Sequence, residues 1–143
     1  MCMEESIKVR GHKDLAEYIA RHYKGKVIEV GIGKHPEVAL LLKDHVNVIG
    51  TDIAGQDVDV PFVKDDIFKP ELQIYEGASL LYSIRAPLEM QHAIASVAKQ
   101  VRADVIIRPL GSEKADLSEC FNESVVNYKS AVFYLYKKKN KKD

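Results

Sequence analysis

The chain has 143 residues, with twenty-one basic and twenty-one acidic side chains, two cysteines and no tryptophan. That length suits one domain around a three-layer core and leaves no room for a nucleotide-binding domain beside a separate substrate domain. Balanced charge gives no overall field toward nucleic acid or an anionic membrane, and Cys2 and Cys120 are too far apart to read as a disulfide framework or a zinc signature.

Residues 1–6 carry acids where a secretory leader needs bases and an apolar stretch, and no run approaches the ~20 apolar residues of a membrane span. A cytoplasmic protein without a membrane partner is expected. From Lys13 to Tyr23, the residues Leu15, Tyr18, Ile19, His22 and Tyr23 recur at helical spacing before Gly25, which predicts an N-terminal helix over about 13–23. A strand over 27–30 breaks at Gly31 and Gly33, and a helix follows from Pro36 to about Asp44, with His35 expected as its N-cap and Glu37 in its first turn. Strand two covers 46–51 and a weak third strand, placed at an edge, covers about 61–63. Residues 78–84 form a fourth strand, broken at Arg85-Ala86-Pro87, and Met90, Ile94, Val97, Ala98 and Val101 trace one face of a long helix ending near Arg102. A fifth strand over 104–108 stops at Pro109, and a polar connection runs to Glu123. Two β-rich runs, 124–128 and 131–136, joined by Lys129-Ser130, read as a closing antiparallel hairpin. The expected layout is one domain over 1–143, with a core over 27–136 and a disordered basic tail over 137–143.

Strands alternating with helices imply a mostly parallel α/β sheet, about seven strands with the hairpin. Such sheets bind ligands beyond the carboxyl ends of their strands, where the strand order reverses. The candidates there are Gly31 and Gly33 after strand one, Asp52 after strand two, Asp66 and Ile67 after strand three, and Ser83 to Pro87 after strand four. Asp52 lies about twenty residues beyond the glycines, where a ribose-binding acid sits in dinucleotide-type folds. The dinucleotide fingerprint wants a further glycine over a pyrophosphate, and Gly33-Lys34-His35-Pro36 does not supply it in that register.

These segments resemble the class I S-adenosylmethionine-dependent methyltransferases. Glu29-Val30-Gly31-Ile32-Gly33 is similar to their first motif, Asp52 to their ribose acid, Asp66-Ile67 to their adenine-side pair, and Ser83-Ile84-Arg85-Ala86-Pro87 to their fourth motif. The terminal hairpin suits that fold, and the brevity of the chain resembles a set of small uncharacterised archaeal proteins. The resemblance implies a three-layer Rossmann-like fold, S-adenosylmethionine as cofactor, and cofactor contacts from Glu29, Gly31, Gly33, Asp52, Asp66, Ile67 and Ser83. His35 stands where the family commonly has a third glycine, and the fourth motif lacks the Asn or Asp and the two prolines of amino-methylating members. The usual helix between strand five and the hairpin looks reduced to a loop.

Each residue also has a plainer reading. Gly31 and Gly33 can serve strand-to-helix packing alone, Glu29 can be a strand residue satisfied by backbone N–H groups, and Asp66 can cap a turn before Phe68-Lys69-Pro70. Arg85 can be a surface ion pair, although with Arg108 it makes an anion site conceivable. The histidines His12, His22, His35, His45 and His92 show no ligand spacing, so no metal is expected. Catalytic residues stay unassigned beyond the candidates Ser83 and Arg85, which would form an acceptor edge with the loop 109–123 closing over it. Two functions remain open: a small methyltransferase of unknown acceptor, in which positioning outweighs acid–base catalysis, and a non-catalytic adenosyl-binding or partner-docking module. The partners expected are a small adenosyl ligand and a protein partner or second copy, with nucleic acid disfavoured.

Overall fold

The computed structural model describes residues 3–139. Seven strands form one sheet in the order β3-β2-β1-β4-β5-β7-β6. They are β1 (Lys26–Val30), β2 (Asn47–Asp52), β3 (Phe62–Lys64), β4 (Ala78–Ala86), β5 (Asp104–Pro109), β6 (Phe121–Tyr128) and β7 (Ala131–Lys138). The first five pair in parallel, and β7 enters antiparallel between β5 and β6. Helices α1 (Met3–His22), α2 (Glu37–Leu42), α3 (Leu72–Tyr75) and α4 (Leu88–Val101) complete the α/β Rossmann-like architecture.

The central strands are buried on both faces, so their sequences read as nearly continuous apolar runs. On one face Ile28, Leu81, Val105 and Ile107 pack with Ile94 and Val97 of α4; on the other Val27, Val48, Leu80 and Ile106 pack with Leu15 and Ile19 of α1 and Val38 and Leu42 of α2. Burial of that kind contributes roughly 1.5–3 kcal/mol per large aliphatic side chain. Gly50 in β2 is required by this packing, since a Cβ there would lie 2.7 Å from Ile32 Cδ1.

Several boundaries differ from those read in the sequence. Helix α1 begins at Met3, and its first turns lack the apolar periodicity that marked 13–23. Pro36, not His35, occupies the N-cap of α2, because the first intrahelical bond, from Leu40 N–H at 2.8 Å, is accepted by Pro36 O. Strand β4 continues through Arg85 to Ala86, absorbing a register shift between Ser83 and Ala86; the chain breaks only at Pro87, the N-cap of α4. The single turn α3 has no apolar periodicity to mark it in the sequence, and β6 starts at Phe121 because Phe121 is a buried member of the α4-side core. Lys137 and Lys138 belong to β7, not to a tail; residues 140–143 of that expected tail lie outside the described residues.

The connection 110–120 contains no helix, yet it is not a free lid. The buried Gln91 amide donates to Ala86 O and Glu113 O, both at 3.0 Å, and accepts from Ala115 N at 2.8 Å. Glu123 accepts from Leu117 N and pairs with the Lys114 ammonium. The stretch 113–117 is thereby tied to α4 and β6.

Candidate functional site

Strand order reverses between β1 and β4, whose connections leave to opposite sides and open a crevice at their carboxyl ends. Gly31 and Gly33 form the turn on its floor, at φ +72° and +54°, angles that side-chain-bearing residues adopt only at a cost. The N–H groups of Gly31 and Ile32 both reach Thr51 O, at 2.9 and 3.0 Å, which ties the turn to the end of β2. A Cβ on Gly31 would lie 2.5 Å from Met90 Cε and 4.0 Å from Ser83 Oγ, so α4 and β4 both close on the turn.

Asp52 faces this turn. Its Oδ2 accepts from Gly33 N–H and its Oδ1 from Ile53 N–H, both at 2.8 Å. A carboxylate offers about four lone-pair sites, so two remain for a ligand's hydroxyls. Glu29 lies one layer below, 1% exposed, directly opposite Tyr82 in the β1–β4 register, and Tyr82 OH donates to its Oε1 at 2.8 Å. Its partner is thus a phenol, not the backbone. Burial pushes the Glu29 carboxyl up to about 8; the Tyr82 hydrogen bond opposes this, and the negative charge of Glu37 adds to it. Burial also drives the Tyr82 phenol well above its usual value.

On the β3 side, Asp66 caps Phe68 N–H at 2.9 Å, the turn-capping arrangement, while one of its oxygens stays free of protein hydrogen bonds. Asp65 holds Tyr75 OH at 2.7 Å and Glu71 N–H at 3.1 Å. Among the described residues none of Asp52, Asp65 and Asp66 is in a salt bridge, so the crevice wall toward β2 and β3 carries three acidic side chains outside any ion pair, while the buried Glu29, protonated near neutral pH, adds no charge to it. Two large apolar side chains stand exposed at this wall, Ile53 at 64% and Phe68 at 59%, with Ile67 buried beneath.

Ser83 is 2% exposed and faces the glycine turn, whereas Arg85 is exposed at the end of β4. Arg108 lies elsewhere: its guanidinium packs over Gly11 of α1, where Nη1 is buried without a hydrogen-bond partner and burial lowers the pKa. No group of His, Cys, Asp and Glu among the described residues could hold a metal ion. Sequence reasoning missed Tyr82, Met90, Ile53 and Phe68. For Ile53 and Phe68 a signal existed, since each follows a strand-end acid by one or two positions.

A family model described as an uncharacterised protein family, UPF0146, matches residues 12–138. A UPF0146 protein of Archaeoglobus fulgidus is 43% identical over 129 residues, 88% of this chain and 95% of its own. One from Methanothermobacter thermautotrophicus is 39% identical over 127 residues, 86% of this chain and 92% of its own. Among solved structures, an S-adenosyl-L-methionine methyl transferase from Silicibacter pomeroyi aligns with a TM-score of 0.58 at 13% identity, covering 94% of this chain and 93% of that one. A TehB-like SAM-dependent methyltransferase from Corynebacterium glutamicum gives 0.59 at 12% identity, covering 90% and 88%. At such identities the likeness establishes the fold: this chain has the Rossmann-like fold of class I methyltransferases.

Proposed function

The chain belongs to the uncharacterised protein family UPF0146, and we propose that its crevice binds S-adenosylmethionine for methyl transfer. The observation that carries this reading is the set of three acids outside any ion pair, Asp52, Asp65 and Asp66, beside a positive-φ glycine turn. A dinucleotide would bring a doubly charged pyrophosphate into that field, whereas the sulfonium ligand brings a net positive charge, which the wall attracts.

The residues present fit that ligand. Asp52 has two acceptor sites left for the ribose hydroxyls, Ile53 and Phe68 offer apolar faces for the adenine, and the free oxygen of Asp66 suits its amino group. Glu29 and Ser83, around the glycine turn, would take the methionine end. When bound, the sulfonium supplies an already activated methyl group. What remains for the chain is to orient the ligand and hold an acceptor in line, an effect that can account for much of the acceleration without a strong base. Calorimetric titration with S-adenosylhomocysteine and NAD in parallel tests this reading: measurable binding of the first and weaker or no binding of the second is expected, and tighter NAD binding would overturn it.

A second reading, an adenosyl-binding module without turnover, is favoured by one observation. Ser83 is buried against the glycine turn, so of the two acceptor-edge candidates only Arg85 is presented to solvent. Incubation with labelled S-adenosylmethionine and fractionated cell extract separates the two: no methylated product in any fraction favours the module, and a product formed only when the chain is added excludes it.

A further inference from the structure

Opposite the crevice, at the amino-terminal ends of the parallel strands, the fold gathers basic side chains that are scattered in the sequence. The last turn of α1, the residue after α4, the start of β5 and the end of the antiparallel β7 all reach this edge. A cavity of about 540 Å³ there is lined by Arg21, Lys24, Lys137 and Lys138. A second, of about 290 Å³, shares Lys138 and adds Lys99, Arg102 and Lys139. Seven cations therefore border two adjoining hollows in a chain of zero net charge, against two acids, Asp104 and Glu119.

Asp104 is occupied in holding the edge together, accepting from Tyr23 OH at 2.7 Å and from Lys138 N–H at 2.9 Å. Of the seven cations only Arg21 is in a salt bridge among the described residues, an exposed contact to Glu17 at 3.6 Å that contributes little. The exposed His22 ring stacks on Tyr18 at 4.0 Å between centroids and lines the first hollow.

We propose that this edge docks a single strand of nucleic acid through its phosphates, with His22 as a stacking surface for a base. Six of the seven cations are exposed, Lys139 being half-buried, and they are spread over two hollows, so no one of them builds a pocket for a small anion; a repeating anion collects many weak contacts at once. An anionic bilayer fits less well, because none of the strongly exposed large apolar residues lines either hollow. The acidic crevice at the far edge orients the strand, repelling it there and attracting it here. This inference stands independently of the adenosyl ligand.

Fluorescence anisotropy of the full chain with a labelled oligouridylate of about twelve nucleotides, within the ~4–16 that such platforms span, tests it. Binding at about 50 mM salt is expected, and neutralising roughly four phosphates predicts a ~50-fold loss by about 200 mM. The double variants K137E/K138E and R21E/K24E should each weaken binding roughly tenfold or more, with K137Q/K138Q intermediate and the distant pair K64E/K69E changing it less than about twofold. Absence of binding at low salt, equal loss in the distant pair, or association with phosphatidylserine vesicles but not with the oligonucleotide would each overturn the proposal.

Discussion

Tyr82 and Glu29 form a buried phenol–carboxyl pair, 2.8 Å apart on neighbouring strands, beneath the glycine turn. The usual glutamate value is 4.5, and burial raises Glu29 to about 8. Between those values the folded chain holds a proton that the unfolded chain has lost. Stability contributed at this position is therefore greatest below about pH 4.5 and declines as pH rises toward 8, by an amount on the order of a few kcal/mol. Glu29→Gln should flatten that part of the stability profile, measured by urea denaturation at several pH values. An unchanged slope would mean that Glu29 ionises normally.

The same pair links proton release to ligand. An ammonium placed against Glu29 favours the carboxylate, so binding of S-adenosylhomocysteine near pH 7 should expel up to one proton. Titrations in buffers of different ionisation enthalpy measure this directly. Wild-type enthalpies should vary with buffer and those of Glu29→Gln should not; buffer-independent wild-type enthalpies would place the amino group elsewhere.

Asp52 has two tasks, and substitutions separate them. Asp52→Ala removes the acceptor for Gly33 N–H and Ile53 N–H and, under the proposed function, for both ribose hydroxyls. At about 1.5–3 kcal/mol per charged hydrogen bond, adenosyl binding should weaken at least tenfold. Asp52→Asn keeps one oxygen and should fall between. Wild-type affinity in the alanine variant would show that the ligand lies outside this crevice.

The glycine turn and Asp52 are legible in the sequence because they depend on local chemistry. Positive φ at Gly31 and Gly33 demands glycine wherever the turn occurs, and the intervening helix fixes the interval to the next strand end. Glu29 with Tyr82 is a different case: fifty-three residues separate them, and they meet only because β1 and β4 pair with Glu29 opposite Tyr82. Periodicity places both on strands without giving their alignment. The basic edge is hidden for the same reason, since Arg21, Arg102 and Lys138 end three elements that only the sheet topology brings to one side. At β4 the helix-initiating Pro87 is visible but the register shift before it is not, so Arg85 reads as a break in sequence although the strand continues through it.

Gln91 offers the last prediction, because it decides whether the connection after β5 is part of the scaffold. Its side chain is fully buried, and all three of its hydrogen bonds go to backbone: one to Ala86 O, which Leu110 N also serves, and two to Glu113 O and Ala115 N. Gln91→Ala leaves Glu113 O and Ala115 N without that partner while Ala86 O keeps its second donor. With each buried orphan costing about 1–3 kcal/mol, a total loss of ~3 kcal/mol is expected. Hydrogen exchange should show 113–117 opening well before the central strands, which rest on the apolar layers of α4 and α1. Adenosyl affinity should change less than about twofold, since the hydrogen bonds that hold the glycine turn and Asp52 join them to Thr51, Gly33 and Ile53. If Gln91→Ala abolishes binding while the core remains protected, the connection shapes the crevice directly.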